Sequence, residues 1–198
     1  MDISSVLYTS NQILVNEDLE EYGMRFDGEP RHDLAQEVAF NRLSGCTMVM
    51  NKEMRDMLID EENQPDDYIL DTRLHDTWVM LMATAFGKVI YDKEGRILYR
   101  QHENNVIGAK TLTLKEKLID KYKRLTGKKY KGNRSKVACH MLKTFDSVMS
   151  EKNKAELRLF SECNSIKGAI HLMQNQSVRS TLRESNVLLF LKCLLGWI

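Results

Sequence analysis

The sequence has almost no excess charge of either sign. Over 198 residues, 29 basic side chains face 28 acidic ones, a formal net charge of +1, so no overall field points to nucleic acid or to an acidic substrate. Cysteine is sparse and scattered. Cys46, Cys139, Cys163 and Cys193 show neither the C-x-x-C spacing of a zinc site nor a secretory context. They are read as reduced thiols of a cytoplasmic protein, most of them buried. A long hydrophobic run is also missing. The most apolar stretch, "NVLLFLKCLLGWI" at residues 186–198, is shorter than the roughly 20 apolar residues that a bilayer-crossing helix needs. It reads as a packing helix or, with Trp197 and the basic Arg179, Arg183 and Lys192 nearby, as an anchor seated in a headgroup layer. The start, "MDISSVLYTSNQILVNEDLEE", lacks the basic and apolar regions of a signal peptide and is expected to be mature sequence. Internal repeats and low-complexity tracts are absent as well.

What is present is long enough to bury a core without staples. "VLYTSNQILV" is rich in β-branched and aromatic residues and predicts a strand; the acidic, Gly- and Pro-bearing residues 16–33 that follow predict a loop. "DLAQEVAFNR" predicts a short helix, "LSGCTMVMN" a strand that begins near Gly45, and "NKEMRDMLIDEE" a helix carrying Met54, Met57 and Leu58 at helical spacing. Asp71 or Thr72 then caps a helix with Trp78, Met82, Ala85 and Phe86 on one side, stopped by Gly87. "KVIYDKEGRILYRQ" alternates about a D-K-E-G turn and predicts a hairpin. Beyond residue 110 the chain reads as helix after helix. Between positions 115 and 136, ten Lys or Arg face Glu116 and Asp120. That run fits a solvated helix and loop, or a basic patch for anionic lipid or a pyrophosphate-bearing substrate. Nucleic acid is disfavoured, because no aromatic platform or binding motif accompanies the charge.

Two polar clusters carry candidate chemistry. Asp76 falls in the first turn of the predicted helix, where unpaired backbone amides and the positive dipole end stabilise a carboxylate. Capping alone accounts for it. The same placement suits a general base, an ionised carboxylate on a rigid element that takes a proton from a sugar hydroxyl, with His75 beside it to tune it or to bind substrate. His102 begins a dense polar run with Glu103, Asn104 and Asn105. It is either a hydrogen-bonded surface residue or a metal ligand, and a hard cation there needs oxygen donors from elsewhere. Gly45 either permits a tight backbone path or lets the backbone approach a sugar or phosphate closely.

Three motifs in order, "NRLSGCTMVMNKEM", "LHDTWVMLMATAFGKVIYDKEG" and "YRQHENNVIG", resemble the C-terminal half of a family 2 glycosyltransferase, in particular the bacterial rhamnosyltransferase-like branch that builds cell-surface polysaccharides. The resemblance is specific over residues 1–110 and loose beyond. It implies an α/β fold, a partial GT-A-like mixed sheet with flanking helices over residues 1–110, followed by a helical extension over residues 111–198. It also implies roles: Asp76 as the inverting base, Gly45 in the loop near donor sugar and acceptor, His75 as substrate-binding, and Trp78 as a sugar platform, with Thr77 intervening. His102 matches the histidine that helps hold the metal and nucleotide diphosphate, and Asn104 and Asn105 lie in the loop that closes over the donor.

The implied reaction transfers a sugar such as rhamnose from a nucleotide-sugar donor to a glycan or lipid-linked acceptor, with Mn2+ or Mg2+ in the complete enzyme. Upstream of "SSVLYTSNQILVNEDL" the family places a nucleotide-binding half with an Asp-x-Asp motif, which this sequence lacks. The expectation is therefore a truncated or split enzyme, inactive alone, which joins a missing N-terminal half or forms a homodimer and touches the inner face of the cell membrane peripherally. A non-catalytic remnant that binds a glycan, a membrane surface or a partner enzyme is the alternative. An open sheet edge and exposed apolar surface are expected with truncation.

Overall fold

The computed structural model describes residues 5–73, 75–100, 130–182 and 184–198. The strands are β1 (Val6–Val15), β2 (Glu21–Met24), β3 (Val49–Met50) and β4 (Lys88–Arg100). The described α-helices are α1 (Leu34–Ala39), α2 (Lys52–Ile59), α3 (Asp67–Thr72), α4 (His75–Phe86), α5 (Asn133–Phe145), α6 (Glu151–Ser161), α7 (Ile166–Gln174), α8 (Gln176–Thr181) and α9 (Asn186–Leu194). The result is a mixed α/β chain with a small mixed sheet.

β1 is the centre of that sheet. Along one edge it pairs in parallel with β4 over its whole length, Val6 opposite Lys88 and Val15 opposite Arg100. Along the other it pairs antiparallel with β3 at Leu7 and Tyr8 and with β2 from Ile13 to Val15. Residues 16–33, expected as loop, therefore hold the short strand β2. "LSGCTMVMN" differs from expectation too: Gly45–Thr47 form a 3-10 turn, and only Val49–Met50 are strand.

The predicted hairpin over residues 88–101 does not form in the described part. β4 is one strand, and the D-K-E-G segment is a bulge where Ser10 faces Asp92 and Asn11 faces Gly95. The Asp92 carboxylate organises it, accepting from the Tyr8 hydroxyl at 2.7 Å, the Glu94 backbone N–H at 2.9 Å and Arg96 Nε at 2.7 Å. The Tyr8 bond first, then Arg96, hold its pKa down at about 2. Local turn chemistry bent the strand without reversing it, because ten residues of β1 offer β4 a continuous parallel partner.

The helix ends follow local chemistry. Asp33 caps α1 by accepting from Gln36 N, Asn51 caps α2 through Met54 N, and Ser150, Ser165 and Ser185 cap α6, α7 and α9. Asp71 and Thr72 do not cap α4. They end the short helix α3, capped by Asp66, and α4 begins at His75. Gly87 stops α4 as expected. A Cβ there would lie 2.6 Å from the Ser5 carbonyl oxygen, which accepts from Lys88 N at 2.8 Å where the chain enters β4.

The buried apolar side chains form one cluster, from Leu7 on β1 through Met80 to Met82 on α4 to Phe160, Leu189 and Ile198. α1 is buried along its length and contacts α4, α6 and α8. The core thus runs across the boundary expected at residue 110. All four cysteines are free, Cys46 and Cys139 exposed, Cys163 and Cys193 buried. No described helix is long and apolar enough to cross a membrane.

Candidate active site

A strand at the centre of a sheet is ordinarily apolar, yet Thr9, Ser10, Asn11 and Gln12 on β1 are all buried. Buried polar groups need partners, and here the partners are loops. Thr9 Oγ1 lies 2.7 Å from Thr47 Oγ1. Asn11 Nδ2 donates to the Phe26 carbonyl at 2.7 Å, and Gln12 Nε2 donates to Cys46 Sγ at 3.2 Å. Gln12 Oε1 accepts from Arg25 Nη1 at 2.6 Å, and the same guanidinium reaches the Ser44 hydroxyl. The polar strand thereby pins Arg25 and the turn at Gly45–Thr47 over one end of the sheet.

Asp76 meets that turn from the other side. In the first turn of α4 it is 7% exposed. Its Oδ2 accepts from the Gly45 backbone N–H at 3.3 Å. Oδ1 is buried with no partner among the described residues. Gly45 is needed for the fit: a Cβ there would sit 3.2 Å from Asp76 Cβ and 3.3 Å from His75 Nε2. His75 is exposed beside them. The structure thus brings together Gly45, His75 and Asp76, three of the residues singled out from the sequence.

Trp78 does not join them. It is 6% exposed and packs edge-on against His140, with ring centroids 5.7 Å apart, and beside Phe145 at 6.4 Å. Two positions beyond Asp76, the turn of the helix carries the indole, expected as a sugar platform, into the core cluster. His102, Asn104 and Asn105 lie outside the described residues, as do Arg183 and most of the basic run at 115–136.

No protein-family model, curated protein or solved structure matches this chain.

Three titratable residues were not singled out from the sequence: Glu37 and Arg25, which feel the charge of Asp76, and Arg73, which faces Glu37. Glu37 on α1 is fully buried, and neither oxygen has a partner among the described residues. Burial first, then Asp33 and Asp76, push its pKa up to about 8, opposed by Arg73, so the carboxyl is mostly protonated at neutral pH. Arg73 donates to the Val38 carbonyl at 2.8 Å, and burial, aided by Arg134, lowers its pKa to about 10. It stays charged. Burial lowers the pKa of Arg25, opposed in part by neighbours that include Asp76. The available signals were a polar run inside a strand pattern for Gln12, and a Glu inside the otherwise compact "LAQEVA" helix for Glu37. Neither says which residue lies across the fold.

Among the described residues no three His, Cys, Asp or Glu side chains converge as a metal-binding group. His75 and Asp76 by themselves fall short of the oxygen-rich set that Mn2+ or Mg2+ takes. What the arrangement offers is a fixed carboxylate with one oxygen held and one unused, flanked by an imidazole.

Proposed function

We propose that this chain is the acceptor-side part of an inverting glycosyltransferase, with Asp76 as the general base. The observation that carries the reading is the Asp76 carboxylate, anchored through Oδ2 to the Gly45 N–H while Oδ1 has no partner among the described residues. A carboxylate that served only to steady the helix would gain from pairing both oxygens, whereas a base needs one lone pair left for a proton. In the reaction the acceptor hydroxyl gives its proton to Asp76 as its oxygen forms a bond to the anomeric carbon of the donor sugar. The bond from that carbon to the nucleotide diphosphate breaks with its electron pair. His75, exposed beside the base, is placed to orient the acceptor.

The sheet supports the need for a second half. The outer edge of β4 has no strand partner among the described residues, and Ile90 and Leu98 on it are exposed. An unpaired edge is where further strands join. A nucleotide-sugar donor would be held by that half, and a glycan or lipid-linked acceptor on the cytoplasmic side of a membrane would be served by this one.

The test is transfer by a fusion of this chain to a family N-terminal half. Asp76→Asn is expected to lower the rate by about 100-fold or more, the lower end of what a positioned base contributes. An unchanged rate in an active fusion would remove Asp76 from the chemistry and leave it as a helix-capping residue.

A further inference from the structure

A second polar concavity lies on the helical side of the chain, around α5. It encloses about 870 Å3. Its wall carries the ammonium groups of Lys131, Lys136 and Lys143 and the polar side chains of Ser135 and Asn164. One carboxylate, Asp66, shares the wall, and it already faces His140 Nδ1 at 3.4 Å. No described carboxylate forms a salt bridge with any of the three lysines. Two of the lysines are steadied by aromatic faces. Lys136 Nζ lies 4.0 Å from the centre of the Tyr68 ring, and Lys131 Nζ lies 5.5 Å from that of Trp197. Cation–π contact holds an ammonium in place without neutralising it.

We infer that this cleft is a binding site for a phosphorylated ligand, its phosphate or diphosphate held by Lys131, Lys136 and Lys143. An anion placed in the cleft can accept charge-assisted hydrogen bonds from these ammonium groups and offset their like charge. Ser135 and Asn164 supply neutral donors for the remaining oxygens. The volume leaves room for an organic group attached to the phosphate. That group comes either from a soluble phosphate ester or from a lipid headgroup, which share the chemistry read here. The inference does not depend on the role proposed for Asp76, since the two sites share no residue.

The experiment titrates the full chain calorimetrically with sodium pyrophosphate at low salt. Binding is expected, weakened about tenfold, equivalent to about 1.4 kcal/mol, in each of Lys131→Gln, Lys136→Gln and Lys143→Gln. These three lysines are exposed, so the variants should keep the core, and circular dichroism checks that they do. Lys93→Gln, an exposed lysine on β4, should bind as the parent does. Cys139, which is exposed and also lines the cleft, gives a second readout: pyrophosphate should slow its alkylation and leave that of Cys46 unchanged.

In a parallel arm, the chain is sedimented with vesicles of phosphatidylcholine and phosphatidic acid in equal parts. Vesicle binding that free pyrophosphate competes away supports the site and assigns the phosphate to a lipid. Pyrophosphate binding without vesicle binding supports the site and assigns it to a soluble ester. No pyrophosphate binding, equal weakening by Lys93→Gln, or an unshielded Cys139 would overturn the inference.

Discussion

Replacing Glu37 by Gln asks whether the carboxyl near the candidate base keeps its proton in the folded chain. Glu37 is fully buried, without partners for either oxygen among the described residues, and its pKa is raised from 4.5 to about 8, by burial first and then by Asp33 and Asp76. Well below pH 4.5 the group is protonated in both folded and unfolded chains, and proton linkage contributes nothing. As pH rises past that value the unfolded chain releases the proton while the folded chain retains it. Stability therefore falls by about 1.4 kcal/mol per pH unit until the folded group itself ionises near 8. Between about pH 5 and about pH 7 the loss comes to about 2 to 3 kcal/mol. Glutamine carries no such proton, and the cost of burying its amide does not change with pH, so that cost cancels when the two chains are compared at several pH values. Urea unfolding of parent and Glu37→Gln across this range should show the variant gaining about 2 to 3 kcal/mol on the parent. A difference that stays constant with pH would refute the reasoning and mean that Glu37 is ionised in the fold, paired with Arg73.

Gly45→Ala should cost about 1 kcal/mol by denaturant unfolding, because its Cβ would press on Asp76 and His75 at 3.2 and 3.3 Å; an unchanged midpoint would mean that the turn gives way easily. Gly168→Ala should be far worse, at least about 3 kcal/mol, since its Cβ would fall 1.9 Å from the Glu162 carbonyl oxygen; a thermal midpoint equal to the parent's would refute the close turn between α6 and α7. Alkylation of the native chain, followed by mass spectrometry, should modify Cys46 first and Cys139 more slowly, because burial holds the Cys139 thiol above its ordinary pKa. The buried Cys163 and Cys193 should react only on unfolding.

Much of the local structure was legible in the sequence because it is decided within a few residues. The β-branched and aromatic residues of β1, the short helices α1 and α2 and the stop at Gly87 are each settled by neighbours within reach. The D-K-E-G segment misled for the same reason. As a local signal it favours reversal, and only the parallel partner β1, distant in sequence, keeps β4 extended through the bulge. The burial of Trp78 was not legible from its nearness to Asp76 in sequence, because two positions on a helix turn a side chain to a different face.

The sequence by itself determined the mixed α/β character, the presence of helix α4 with an acidic first turn, and Gly45, His75 and Asp76 as residues of interest. Tertiary structure alone decided that these three meet, that Glu37 is buried within reach of the Asp76 charge, and that Lys131, Lys136 and Lys143 share one cleft with a single carboxylate. The reason is range. Capping, turns and periodicity act over the few residues of one turn or strand, while burial and electrostatic coupling depend on which distant segments pack together, and that is set by the core as a whole.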